Sequence, residues 1–330
     1  MAAPATPPSK PTSGSPASAG ASQRAPGTKR LELDPSLPLS QGLEKAMEGV
    51  TRYAQEWAAK ANEDPEPAVH NFRKSIRRAR ALLKLMRDQL GRPRYEELVE
   101  DLRGAMRETS AARDADVMVR LVAAYPRKPK TAAALDALQA LLEEQRRAVH
   151  SKGRLARALA EGAESLEEIP ARFGQSLPEG MHRGGLFASL EAGHRRARKA
   201  YRKAQGGESD DDFHDWRKRV KELRYQLELL LPLTGKTKEH GRLAELAEEL
   251  GAITDLVVMR DCVLAHRERL EETQPAPLLK KLEKKIDKQQ RLRYAEAEDL
   301  FGLKPRVFAR RILAGVERAS ASGRILSPKE

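Results

Sequence analysis

The sequence predicts an all-α protein, and three observations carry that prediction. Apolar residues recur at three- and four-residue spacing from residue 40 onward. The interruptions are Pro/Gly/Asp loops, with no strand-like alternation and no hairpin turn signal between them. Charged residues make up 33% of the chain and hydrophobic ones 40%, a balance that suits long amphipathic helices.

The loops fall at Asn62–Pro67, Gly91–Pro93, Pro126–Pro129, Gly174–Gly185, Gly206–Asp212, Thr234–Gly235 and Pro275–Pro277. Between them the periodicity predicts helices over 41–61, 66–90, 94–124, 131–163, 186–205, 210–231, 238–271 and 276–300. Residues 1–39 read as a disordered Ala/Pro/Ser-rich tail, because they offer little apolar surface and many prolines. Residues 1–30 lack the apolar segment of a secretory signal. The body divides into a first four-helix half (40–165), a linker (166–185) and a second four-helix half (186–318), with a second disordered tail at 319–330.

The division rests on an internal repeat. Val69-His70-Asn71-Phe72-Arg73-Lys74-Ser75-Ile76-Arg77 matches Phe213-His214-Asp215-Trp216-Arg217-Lys218-Arg219-Val220-Lys221 position by position, 144 residues apart. The same offset pairs Arg80 with Arg224, Leu83 with Leu227 and Trp57 with Tyr201. Arg113-Asp114-Ala115-Asp116-Val117 resembles Thr254-Asp255-Leu256-Val257-Val258 at an offset of 141 residues. Similarity between any two amphipathic helices does not produce the shared His-(Asn/Asp)-aromatic-Arg-Lys string.

On a helix turning about 100° per residue, Val69, Phe72, Ile76, Ala79, Leu83, Met86 and Leu90 form one face, the core face. His70, Arg73, Arg77, Arg80, Lys84 and Arg87 form a second stripe about 110° away. The second repeat carries His214, Arg217, Lys221 and Arg224 in the corresponding places. A solvated helix face usually mixes signs, since i,i+4 pairs of opposite charge stabilise it and like charges repel. No acid stands between Val69 and Arg87, so the repulsion has no structural return and points to an anionic ligand. Nearby cations are expected to depress the His70 and His214 imidazoles, and a bound polyanion to restore their charge.

The offset sets Glu228 against Lys84 and Leu231 against Arg87, so the first stripe is the longer. This predicts stronger anion binding by the first half, and tighter binding on Glu228→Lys.

The two His-x-x-Arg-Lys helices, each followed by an Asp-x-x-Val element (Asp114 to Val117, Asp255 to Val258), resemble the CHAD family, the conserved histidine α-helical domain, over roughly residues 40–315. The resemblance implies two pseudo-symmetric four-helix bundles forming one unit around a basic central groove. It also implies binding of inorganic polyphosphate and a place on polyphosphate granules. The ligand contacts it implies are His70, Arg73, Lys74, Arg77, Arg80, Lys84 and Arg113 in the first half. In the second half they are His214, Arg217, Lys218, Lys221 and Arg224. Arg113 has Thr254 as its counterpart, so only one half keeps that cation. Some relatives carry a triphosphate-tunnel domain, whose Glu-x-Glu-x-Lys strand motif is absent here, so a stand-alone module is expected.

Charge agrees with an anionic partner. The formal net charge is +13, and the first 40 residues supply only +2 of it, leaving +11 on the folded part. There is no Gly-rich phosphate loop, no His/Cys zinc spacing and no nucleophile elbow, so neither an enzyme, a cofactor nor a metal is expected. No run of apolar residues suits a membrane span, and the single Cys262 fits a reducing, cytoplasmic setting. Backbone-directed nucleic-acid binding is the alternative partner. Aromatics are only 4% of residues, and those in the repeat fall on the core face, which argues against base stacking. Granule-associated proteins are further candidate partners.

Overall fold

The structure, a computed structural model, describes residues 27–107, 109–149, 153–207 and 209–321, without the side chains of 110–113, 149, 183 and 315–321. The described residues form α-helices and one 3₁₀ segment, with no strand, as the periodicity predicts. In order the helices are α1 (Leu39–Ala59), α2 (Pro65–Leu85), α3 (Arg87–Leu90), α4 (Arg92–Arg107), α5 (Ser110–Ala124), α6 (Ala132–Val149) and α7 (Arg154–Glu164). They continue with α8 (Ile169–Gln175), α9 (Arg183–Gly206), α10 (Asp210–Thr234), α11 (Lys238–Ala265), α12 (Ala276–Phe301) and α13 (Pro305–Ala321), the 3₁₀ segment Glu268–Thr273 lying before α12.

Several expected helices divide, each for a local reason. The helix expected over 94–124 breaks at Thr109, whose backbone (φ −89°, ψ 1°) leaves the helical region. Its hydroxyl donates to the Met106 carbonyl at 3.0 Å, and Arg73 from α2 donates to both Met106 O and Thr109 Oγ1. A tertiary contact thus ends α4, which propensity alone does not foresee. The helix expected over 131–163 is interrupted before α7 at Gly153, whose φ of +83° favours glycine. The helix expected over 66–90 kinks at Met86 (ψ 3°), leaving α3 as a single turn. The one expected to end at 231 runs through Pro232 to Thr234, because Leu229, Leu230 and Leu233 beneath it are buried. The expected 238–271 helix ends at Ala265 and tightens into the 3₁₀ turn.

Three stretches are more structured than expected. The linker 166–185 contains α8, whose Ile169 and Phe173 are fully buried. α13 extends beyond 300 and beyond the 318 boundary set for the second half, and packs on α9 and α10. The tail assignment of 1–39 is corrected from residue 27 on. Leu31 and Leu33 join the core, Thr28 N donates to Gly49 O at 2.9 Å, and Leu33 N donates to Leu229 O at 3.0 Å. Residues 1–26 and 322–330 lie outside the described residues.

The apolar stripes meet in two cores. The larger joins α1, α2, α4 and α7–α10 with parts of α11–α13, around Phe72, Tyr201, Trp216, Phe301 and Phe308. Trp216 and Phe72, both fully buried, come from equivalent positions of the repeated string. The smaller core joins α5 and α6 to the end of α11, the 3₁₀ segment and the start of α12 through Val122, Leu135, Leu138, Val263 and Leu282. Both cores draw on both repeats. α7 closes on α2 at Gly162, where a Cβ would stand 2.9 Å from the Phe72 ring and 2.6 Å from Ala105 O. The outcome is that α2 and α10, the two helices bearing the repeated string, are packed against each other.

Candidate functional site

Three contacts fix how α2 and α10 cross. Arg78 is bound by Glu228, with Nη2 donating at 3.1 Å and Nε at 3.2 Å to the same Oε1. Gln226 donates to Ala81 O at 3.4 Å, and Lys84 pairs with Glu222. As α2 numbers rise, their α10 partners fall, so the helices run antiparallel. The two ion pairs occupy offset-related positions, 78 with 222 and 84 with 228, with the charges reversed between helices. Two α2-type helices in this register would set Arg78 against Lys84, and two α10-type helices Glu222 against Glu228. The pairing therefore favours one helix of each kind. Arg78 is 5% exposed and also lies over the Tyr225 ring, so this cation belongs to the interface and not to solvent.

Glu228 is thus not a gap in the second stripe. The expectation that Glu228→Lys extends that stripe is corrected, because the change would leave Arg78 buried opposite another cation.

The expected site residues sort into three groups. Arg77 of α2 and Arg217 and Lys221 of α10 act on one another electrostatically, and Arg77 is exposed. Lys74 feels Arg78, Arg224 and, from the packed N-terminal segment, Lys29. None of Lys74, Arg77, Arg217 and Lys221 makes a hydrogen bond or ion pair among the described residues. Burial, followed by the fields of Arg217 and Arg77, pushes the Lys221 ammonium from 10.5 down to about 8. Burial and Arg78 likewise lower Lys74. Glu248 and Asp255 of α11 temper the cluster, and Arg217 feels Asp255 first after its burial. His214 stands half-buried at the cluster's edge. Its imidazole is lowered by burial first, then by Lys218 and Arg217, in the direction expected. His70 is half-buried and Lys218 exposed.

The second group holds expected contacts already engaged. Arg73 holds the α4 terminus, Lys84 holds Glu222, and Arg224 donates to Glu248 at 2.6 Å. The expectation that the first half dominates loses part of its basis, since Arg73 and Lys84 are both committed to the fold. The third group is Arg113, whose side chain lies outside the described residues.

A second set of cations stands on the α4 and α9 side of the crossing, made of the expected Arg80 and of Arg196, which repeat matching missed. Arg80 faces Arg103, Glu222 and Tyr95, while Arg196 lies among Asp88, Glu222, Arg219 and Arg87. Burial lowers both guanidiniums, and neither makes an ion pair among the described residues. Arg196 had a signal in the sequence, since the 144-residue offset pairs it with Arg52.

Two other histidines pack inside the fold, away from the cluster. His194 is fully buried, stacked on Phe308 (4.2 Å between centroids) and bonded to Leu300 O, and burial pushes it down to about 4. His240 caps α11 and bonds Leu227 O. Among the described residues no group of three or more His, Cys, Asp or Glu side chains is placed to hold a metal ion. No described helix is long and apolar enough to cross a membrane. Open depressions of about 620 Å³ (Leu141, Glu144, Arg147, Arg269) and about 310 Å³ (Leu90, Arg94, Arg172) are lined by residues outside the cation cluster.

Comparison with known proteins agrees with this architecture. The crystal structure of the CHAD domain from the plant Ricinus communis superposes with a TM-score of 0.61, covering 89% of this chain and 96% of that one at 24% identity. That likeness establishes the fold. No curated protein matches the chain in sequence. The CHAD domain profile matches residues 41–264, about two thirds of the chain and the stretch that contains both repeated strings. The chain belongs to the CHAD domain family.

Proposed function

We propose that this protein binds inorganic polyphosphate, without catalysing a reaction on it, across the α2–α10 crossing. The observation that carries the reading is the convergence of Lys74, Arg77, Arg217 and Lys221 from two helices with no ion-pair partner. Assembling these cations costs free energy in the empty protein, and a closely spaced row of phosphates removes that cost. Lys218, His70, His214 and Arg80 flank the row, and Arg224 joins if a phosphate displaces Glu248. Arg113 keeps the role the family resemblance implies. Arg73 and Lys84 act through the fold. A flexible single chain of phosphates can follow cations between two packed helices, whereas a DNA duplex presents its charges on a fixed, wide cylinder. Association with polyphosphate granules follows from the same affinity.

The test is competition. Labelled polyphosphate bound at moderate salt is challenged with unlabelled polyphosphate or duplex DNA at equal phosphate concentration. Displacement by polyphosphate alone is expected, and equal displacement by DNA refutes the reading in favour of backbone-directed nucleic-acid binding. Affinity should also fall steeply with salt, by roughly three to five orders of magnitude between about 50 and 200 mM if about six to ten phosphates are contacted. A flat salt profile rules the cation row out as the source of affinity.

A further inference from the structure

At the far end of the smaller core stands a set of donors that nothing in the fold satisfies. Tyr125, which follows α5, is 7% exposed, and its Oη is buried without a hydrogen-bond partner. The Nζ of Lys281 on α12 is buried without a hydrogen-bond partner too, 5.3 Å from the centroid of the Tyr125 ring. Lys285, one turn further along α12, places its Nζ 5.5 Å from the same centroid. Lys128, in the loop between α5 and α6, adds a third positive field. The Lys281 ammonium is held below its ordinary value by burial and then by Lys128 and Lys285, and no acid offsets them. The nearby Asp136 is taken by Arg127 at 2.7 Å.

One aromatic ring cannot neutralise two ammonium groups, and its face gives the phenol hydrogen no acceptor. Cation–π attraction stabilises each lysine only modestly. Buried donors without acceptors are rare in folded proteins because each forfeits its hydration. Tyr125 Oη and Lys281 Nζ are such groups, Lys128 and Lys285 add two exposed ammonium groups beside them, and the phenol oxygen, the one acceptor among the four, bonds to none of them. The complement of such a set is a compact anion with several acceptor oxygens.

We propose that Tyr125, Lys128, Lys281 and Lys285 form a second site, for a phosphate-type oxyanion. It is separate from the α2–α10 crossing: Tyr125 stands 16 residues beyond Thr109, which Arg73 touches, so α5 carries it about 20 Å away at 1.5 Å per residue. The inference does not depend on polyphosphate binding at the crossing.

The experiment is calorimetric titration of the full chain with inorganic tripolyphosphate at low salt, with circular dichroism as the folding control. The background is Arg77→Gln with Lys221→Gln, which weakens the crossing and leaves the Tyr125 cluster intact. That protein is expected to keep one tripolyphosphate site. Adding Lys281→Gln with Lys285→Gln should abolish it, and Tyr125→Phe should weaken it about 5- to 10-fold, the value of one hydrogen bond. The proposal is overturned if the background protein binds no tripolyphosphate, or binds it equally well after the lysine changes. Loss of the crossing's own site in the background bears on polyphosphate binding there and leaves this inference standing. Long-chain polyphosphate separates two sources of the phosphate. If Lys281→Gln with Lys285→Gln in the otherwise native chain weakens long-chain binding at least about tenfold, one chain reaches both sites, since linked contacts multiply affinity. If long-chain affinity is unchanged while the tripolyphosphate site is lost, the site takes free small phosphates.

Discussion

Replacing Lys221 by methionine should make this protein more stable and a worse ligand binder. Lys221 is half-buried on α10, beside Arg217 and Arg77, with no hydrogen bond or ion pair among the described residues. Its ammonium is pushed from 10.5 to about 8, by burial first and the two guanidiniums next. At about 1.36 kcal/mol per pH unit, keeping it charged costs roughly 3 kcal/mol before solvent screening and about 1–2 kcal/mol after it. Methionine keeps an unbranched apolar stem and removes the charge. Lys221→Met is therefore expected to stabilise the fold by about 1–2 kcal/mol near pH 7, a rise of roughly 2–5 °C in Tm.

The pH dependence has a definite sign. The folded state holds the Lys221 proton more weakly than the unfolded state does. The cost is therefore absent above about pH 10.5, grows as pH falls, and is complete below about pH 8. The gain from Lys221→Met should shrink to about a quarter of its neutral-pH value by about pH 10. Urea denaturation of the parent and the variant at the two pH values, alongside polyphosphate affinity near pH 7, measures both effects. A variant no more stable than its parent near pH 7, or one whose gain is undiminished at about pH 10, refutes the reasoning. A cluster that destabilises the empty fold is a feature expected of a binding site.

Other perturbations probe the same helices. Glu228→Lys should destabilise by about 3–5 kcal/mol, because it leaves the buried Arg78 guanidinium unpaired, and adding Arg78→Glu should restore more than half of that loss. Urea midpoints of the single and double variants decide this, and a neutral Glu228→Lys contradicts it. Arg73→Ala should cost about 1–3 kcal/mol by leaving Met106 O and Thr109 without their α2 donor, whereas the exposed Arg77→Ala, which relieves repulsion on Lys221 and Arg217, should not lower stability and should weaken polyphosphate binding. Thermal melts with binding isotherms for both variants distinguish a fold role from a ligand role. His194, held at about 4 against an ordinary 6.5, must gain a proton as the protein unfolds in acid. Stability should therefore fall between about pH 6.5 and 4, by up to about 3 kcal/mol, and His194→Phe should flatten that decline. An equally acid-sensitive His194→Phe protein would assign the loss to other groups.

The sequence by itself determined the helical class, the core faces of α2 and α10, and the family. All of these are local or periodic properties: Phe72, Ile76 and Leu83 had to share a side, and the 144-residue offset is visible without coordinates. It also led to Arg77, because a run of like charge without acids is visible in one dimension, to Arg217 and Lys221 through the repeat, and to Lys74 through the family resemblance. Only the tertiary structure decided which cations are spare. Arg73 and Arg77 are equivalent on a helical wheel, yet the end of α4 lies against one and not the other. Glu228 reads as a flaw in a stripe until Arg78, 150 residues away, is seen beside it. Residues 27–33 read as tail until Leu31 and Leu33 meet the rest of the core. Periodicity reports which side of a helix is apolar, but ion pairing and burial depend on groups that other segments bring within a few ångströms, and such distances are set by the packing of the whole chain.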